Sequence, residues 1–206
     1  MKLQVVNHPL VFSALHHLRD KATASADFKH YCHLISVPVL LAATESLETV
    51  ESEVETPLET TPTKLIKTMP VFVPILRAGL GMLKVAQDLF PGSEVGHIGL
   101  ERDEDTAEAR TYYCKLPDLQ NKPVVLLDPM LATGGSAIHA LSYIKQNAKP
   151  SSIVLACIVA VPEGVDAVTE AHPDVNIVTA ALDRELNAVK YILPGLGDFG
   201  DRYFNT

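Results

Sequence analysis

VVLLDPMLATGGSA, Val124 to Ala137, is the stretch that decides the fold. An apolar strand runs into Asp128, a short loop follows, and Thr133, Gly134, Gly135 and Ser136 open a helix. A strand buried on both faces delivers the acid at its end to the carboxyl edge of a parallel sheet, where open α/β sheets place ligands. Consecutive glycines let main-chain amides approach an anion closely, and the helix start turns free N–H groups and its positive dipole end the same way. Thr133 and Ser136 add hydroxyl donors. The segment is neither common nucleotide loop, since the lysine of GxxxxGK[ST] is missing and GxGxxG does not occur. Taken alone, the same residues also fit an ordinary strand-to-helix turn with Gly-Gly as punctuation.

The pattern around this stretch repeats it. Apolar runs at Val71–Pro74, Val95–Leu100, Val124–Leu127, Ile153–Val161 and Val175–Ala181 read as strands, and Leu80–Phe90, Ser136–Asn147 and Glu163–His172 between them read as helices. Such alternation specifies an α/β fold, a mostly parallel twisted sheet flanked by helices. Val11–Asp20 and Phe28–Ala43 have helical apolar spacing and predict an N-terminal helical layer, broken at Asp20–Asp27, with Pro38 the one residue against a continuous second helix. Glu45–Lys67, rich in Thr, Glu and Pro, fits either a linker or an extended arm. Arg102–Lys115 is strongly charged, carries Tyr112 and Tyr113, and fits a flexible hairpin over a cleft, with the tyrosines as its packing face. The chain is read as a single domain: 1–67 helical layer and arm, 68–206 α/β core.

The 206 residues, 47% hydrophobic and 20% charged, suffice for one sizeable core. A net charge of -8 argues against a broad cationic surface for nucleic acid or anionic lipid, so any phosphate site must be local. Cys32, Cys114 and Cys157 are odd in number, far apart and without zinc-type spacing, which fits reduced thiols. The longest apolar run, Ile153–Val161, falls well short of the roughly 20 residues of a membrane helix, and the first residues have no apolar signal core. A cytoplasmic protein with no membrane partner is the expectation.

Aspartate, loop and Thr-Gly-Gly-Ser together resemble the phosphoribosyl-pyrophosphate loop of the type I phosphoribosyltransferases, and DPMLATGGS resembles the uracil phosphoribosyltransferases within them. Asp128-Pro129 stands where many relatives carry two adjacent acids, which disfavours the purine and orotate branches. PILRAGLGM, Pro74–Met82, is similar to the family's pyrophosphate loop, and Arg102 in ERDEDT to the arginine at the root of its hairpin. YILPGLGDFGDRYFNT, Tyr191–Thr206, is similar to its uracil loop; AVPEG and HPDV also match, with His172 read as structural. Without the resemblance, Arg77 fits a surface turn, Arg102 a solvated charge, and the C-terminal segment a Gly-rich tail that closes the domain.

The resemblance implies transfer of a phosphoribosyl group from 5-phosphoribosyl-1-pyrophosphate (PRPP) to uracil, giving UMP and diphosphate in pyrimidine salvage. It implies catalytic roles for Asp128, Arg77, Arg102 and Asp198. PRPP contacts fall to Arg77, Arg102, Asp198 and the run Asp128, Pro129, Met130, Leu131, Ala132, Thr133, Gly134, Gly135 and Ser136. Uracil contacts fall to Ile192, Gly197, Asp198 and Phe199. Uracil presents acceptor, donor, acceptor along O2, N3 and O4, which main-chain amides and carbonyls can read. Mg2+ is the implied cofactor, held mainly by PRPP rather than by protein ligands. A GTP effector and a homodimer or homotetramer are implied for some members. Lys29, the Ala43-Thr44-Glu45 stretch, Ala188-Val189-Lys190 and Phe199 depart from the usual pattern; the first two touch the N-terminal layer and the last two border the uracil loop. A non-catalytic sensor on the same fold, or an RNA-binding relative, is the rival class. The acidic chain disfavours RNA, and retention of Arg77, Asp128, Thr133 and Asp198 disfavours a dead enzyme.

Overall fold

The computed structural model describes residues 2–102 and 109–206. β1 (Leu3–Val5) leads into α1 (Pro9–Arg19) and α2 (Ser25–Ala43), and β2 (Thr49–Glu55) and β3 (Thr60–Ile66) form a separate ribbon. Next come β4 (Val71–Leu76), α3 (Leu80–Leu89), β5 (His97–Arg102), β6 (Ala109–Lys115), β7 (Pro123–Leu127) and β8 (Met130–Leu131). α4 (Gly135–Asn147), β9 (Ser152–Ala160), α5 (Pro162–Ala171) and β10 (Asn176–Leu182) complete the alternation. β11 (Glu185–Leu186), β12 (Ile192–Leu193) and α6 (Phe199–Phe204) close the chain.

The main sheet runs β1-β10-β9-β7-β4-β5-β6, with β8 added beside β9. All its pairings are parallel except β5 with β6. Side chains alternate across a strand, and both faces are covered at the centre of the sheet, so β4, β7 and β9 are apolar almost throughout. Val125 and Leu127 of β7 join the core built with α1, α2 and α3, while Val124 and Leu126 join the one built with α4 and α5. This two-sided burial explains why the strands read as continuous apolar runs rather than alternating ones.

The five expected strands and the helices between them are present within a few residues. The N-terminal break is shorter than expected, because α2 starts at Ser25; α2 also continues through Pro38, whose missing N–H leaves the Leu34 carbonyl without its helical donor. Leu3–Val5, too short for periodicity to reveal, adds an edge strand beside β10. Glu45–Lys67 resolves as an antiparallel arm with register Thr49↔Ile66 to Glu55↔Thr60. The charged segment is a hairpin, β5 with β6, and residues 103–108 of it lie outside the described residues. Its register shifts at Gly99/Leu100, and the Tyr112 ring lies over Gly99, so this tyrosine packs within the hairpin. The C-terminal segment is not loop throughout: Asp198 caps α6 by accepting from the Asp201 N–H at 2.9 Å, and Phe199 buries itself against Phe28.

Candidate active site

β7 carries Asp128 to the carboxyl edge of the sheet, where its N–H donates to the Ala156 carbonyl at 3.1 Å. The loop beyond is pinned to β9: the Pro129 carbonyl accepts from the N–H groups of Ile158 and Val159 at 3.0 Å each, and β8 pairs with Val159 and Ala160. Gly164 at the start of α5 lies directly under this loop; a Cβ there would stand 3.0 Å from the Leu131 carbonyl oxygen. Gly134 then takes φ 82°, a left-handed turn that glycine adopts freely, and passes the chain into α4 with the free amides of its first turn facing the loop. The result is a cavity of about 170 Å3 lined by Asp128, Met130 to Ser136, and Arg77 and Ala78 from the β4–α3 connection. Every residue predicted for the phosphate loop except Pro129 lines it; Pro129 instead supplies the carbonyl that fixes the loop to β9.

Asp128 is only 9% exposed, and burial pushes its carboxyl up to about 7, partly opposed by the Met130 N–H at 3.5 Å. Beneath it the buried Cys157 thiol is also raised, by burial first and by the neighbouring Asp128 charge second. Arg77 follows a cis Leu76–Arg77 peptide. Its side chain is 57% exposed, stands 3.6 Å from Asp201 Oδ1 and lies over the Phe204 ring at 5.6 Å, so contacts with α6 hold a solvent-accessible cation at the cavity mouth. Arg102 ends β5 opposite Ala109, at the root of the hairpin. The hairpin's return strand is tied to α4 by Thr111 Oγ1 and His139 Nε2, 2.8 Å apart.

A second cavity, about 370 Å3, adjoins the first. Ile192, Gly197, Asp198 and Phe199, the four residues expected to meet the base, all line it, together with Val189, Lys190 and Tyr191. Met130 and Ala132 line both cavities, so one stretch of main chain is the wall between them. A larger hollow of about 610 Å3 lies at the opposite ends of the strands, below the arm, and contains none of the expected residues. Ala78 and Tyr191 fall inside the matching motifs but were not singled out as lining residues, and Val189 and Lys190 were noted only as departures bordering the uracil loop. Among the described residues, no three His, Cys, Asp or Glu side chains gather as a metal cage.

The profile of the uracil phosphoribosyltransferase family matches residues 5–206. The chain belongs to the uracil phosphoribosyltransferase family. Curated members are similar along their whole length. A uracil phosphoribosyltransferase of Clostridium kluyveri is 47% identical over 207 residues, covering 100% of this chain and 99% of that protein. One of Wolinella succinogenes is 49% identical over 203 residues, covering 98% and 97%. Among solved structures, a protein from Aquifex aeolicus superposes with a TM-score of 0.93 at 35% identity, covering 98% of this chain and 97% of that one. A hypoxanthine-guanine phosphoribosyltransferase from Bacillus anthracis, 8% identical with a TM-score of 0.52 and coverage of 77% and 80%, shares the fold. The type I phosphoribosyltransferase fold and the uracil branch inferred from DPMLATGGS both hold.

Proposed function

We propose that this chain joins uracil to PRPP, forming UMP and diphosphate. The observation that carries this reading is the pair of adjoining cavities sharing Met130 and Ala132. One offers a carboxylate, a glycine-rich helix start and an arginine to a phosphorylated sugar; the other offers a turning main chain to a flat base. Their common wall sets the two reactants side by side, and such positioning is worth roughly 7 to 11 kcal/mol in favourable cases.

In the reaction, uracil N1 bonds to the anomeric carbon as the carbon–oxygen bond to diphosphate breaks, and the N1 proton is released. The amides of Thr133 to Ser136 hold the 5-phosphate. Asp128 holds ribose hydroxyls and, ionised, faces the positive charge that develops on the ring; Asp198 acts similarly from the base side. Arg77 and Arg102 take the diphosphate, a fixed positive charge where negative charge accumulates. The hard oxygens of Asp128 and of the substrate suit Mg2+, which when bound offsets the charge of the leaving group while keeping most of its ligands from substrate and water.

A homodimer or homotetramer belongs to the same reading, supported by exposed apolar side chains on the arm, Val54, Leu58 and Leu65 among them. So does work in the cytoplasm, in keeping with the free thiols of all three cysteines and with the lack, among the described residues, of a helix long and apolar enough to cross a membrane. The deciding experiment is UMP formation from labelled uracil, PRPP and Mg2+, with and without GTP, beside an Asp128→Asn control. Magnesium-dependent UMP that the control loses by at least about a hundredfold is expected. Folded protein that binds PRPP but forms no UMP would leave a donor-binding sensor instead.

A further inference from the structure

A partly buried ion pair that the reaction above does not use reaches the base-side loop from behind. Asp183 follows β10 directly, and its side chain is 4% exposed. Arg19, the last residue of α1, donates to it as a fork: Nη2 to Oδ1 at 2.5 Å and Nη1 to Oδ2 at 2.8 Å. Both partners also grip Gly195. Its N–H donates to Asp183 Oδ2 at 2.9 Å, and its carbonyl accepts from Arg19 Nη1 at 2.7 Å. Gly195 has φ 61°, and a Cβ there would lie 3.1 Å from the Ile192 carbonyl carbon. The gripped residue therefore stands in a tight turn between Ile192 and Gly197–Phe199.

We propose that Arg19 and Asp183 are positioning residues for uracil: by fixing both polar ends of Gly195 they set the directions of the main-chain groups that read the base. This rests on the transferase reading of that loop. An ion pair with one buried partner, as here, is a poor device for stability alone, because apolar side chains of similar volume often do as well. A planar guanidinium fork specifies direction, which apolar packing does not. Direction is what a main-chain reader needs, since cytosine differs from uracil at this edge by presenting a donor where uracil has the O4 acceptor. The neighbouring carbonyl is held the same way: Arg202 donates to the Leu196 carbonyl at 2.6 Å and to the carbonyls of Leu18 and Asp20 at the end of α1. The end of α1 is thus the fixed support for the loop.

Arg19→Lys keeps a cation beside Asp183, so the fold is retained, but an ammonium cannot reproduce the fork. The variant is compared with wild type by KM for each substrate, by the ratio of kcat/KM for uracil over cytosine, and by amide hydrogen exchange. The uracil KM is expected to rise about tenfold and the base ratio to fall, with the PRPP KM changed by less than about twofold. Exchange at Leu193–Phe199 is expected to accelerate while α4 is unchanged. Asp183→Asn, which keeps the shape and one acceptor oxygen, should move the same readouts in the same direction. Equal losses for both substrates, or unaltered uracil KM and exchange, would overturn the proposal. Absence of UMP from wild type would count against the transferase reading instead, and the exchange rates would still decide whether Arg19 holds the loop.

Discussion

A carboxyl that is buried at the end of a strand keeps its proton longer than one in water, and Asp128 does so up to about pH 7. In the mechanism we propose its charged form faces the developing cation, so kcat/KM for PRPP should rise with pH through a limb near 7 in the free enzyme; a flat profile from pH 5.5 to 8 would contradict the role. Stability has the opposite sign. The folded pKa lies above the ordinary value of 3.8, so the contribution of the bound proton is full below about pH 4 and is lost as pH rises through about 7. Asp128→Asn, which is never charged, should therefore melt above wild type at pH 8 by a few kcal/mol in unfolding free energy, and the difference should close towards pH 4. Thermal scans across that range measure it.

The loop elements hold the site by close approach, and glycine marks each approach. Gly164→Ala would push a methyl into the Leu131 and Ala132 carbonyls under the phosphate loop. A loss of about 1 to 3 kcal/mol in stability is expected, with a raised PRPP KM and a smaller change for uracil; denaturant melts and initial rates check both. Much of this level was legible in the sequence, because a parallel strand buried on both faces leaves an unbroken apolar run and the Asp128-to-Ser136 loop has local chemistry. Gly164 was legible only as part of AVPEG, since nothing local says that another loop lies on it. α6 was hidden for a similar reason. Its glycines read as loop, while what makes the helix is the Asp198 cap and the burial of Phe199 against Phe28, a contact across most of the chain. Arg19 and Asp183 were invisible because only the folded chain brings the end of α1 to the end of β10, and no motif spans them.

Across the molecule, the ribbon of β2 and β3 projects apolar side chains to solvent, Leu58 at 95% exposure. A two-stranded ribbon alone is marginal in water, which favours a partner surface for it. Deleting the arm should lower the mass seen in sedimentation velocity if that partner is a second copy of the chain. At the other edge, truncation after Val5 would strip the β1 pairing from β10 and lower the melting temperature by several degrees, with aggregation through the bared edge. The wall that Met130 and Ala132 place between the two cavities reaches furthest, into how such an enzyme can change. A substitution in a partition alters the rooms on both sides, so a variant selected to accept a modified base while keeping its sugar donor has little freedom there. Its mutations should gather on the outer wall, among Val189, Lys190, Tyr191 and Phe199, which line the base-side cavity and have no part in the other one.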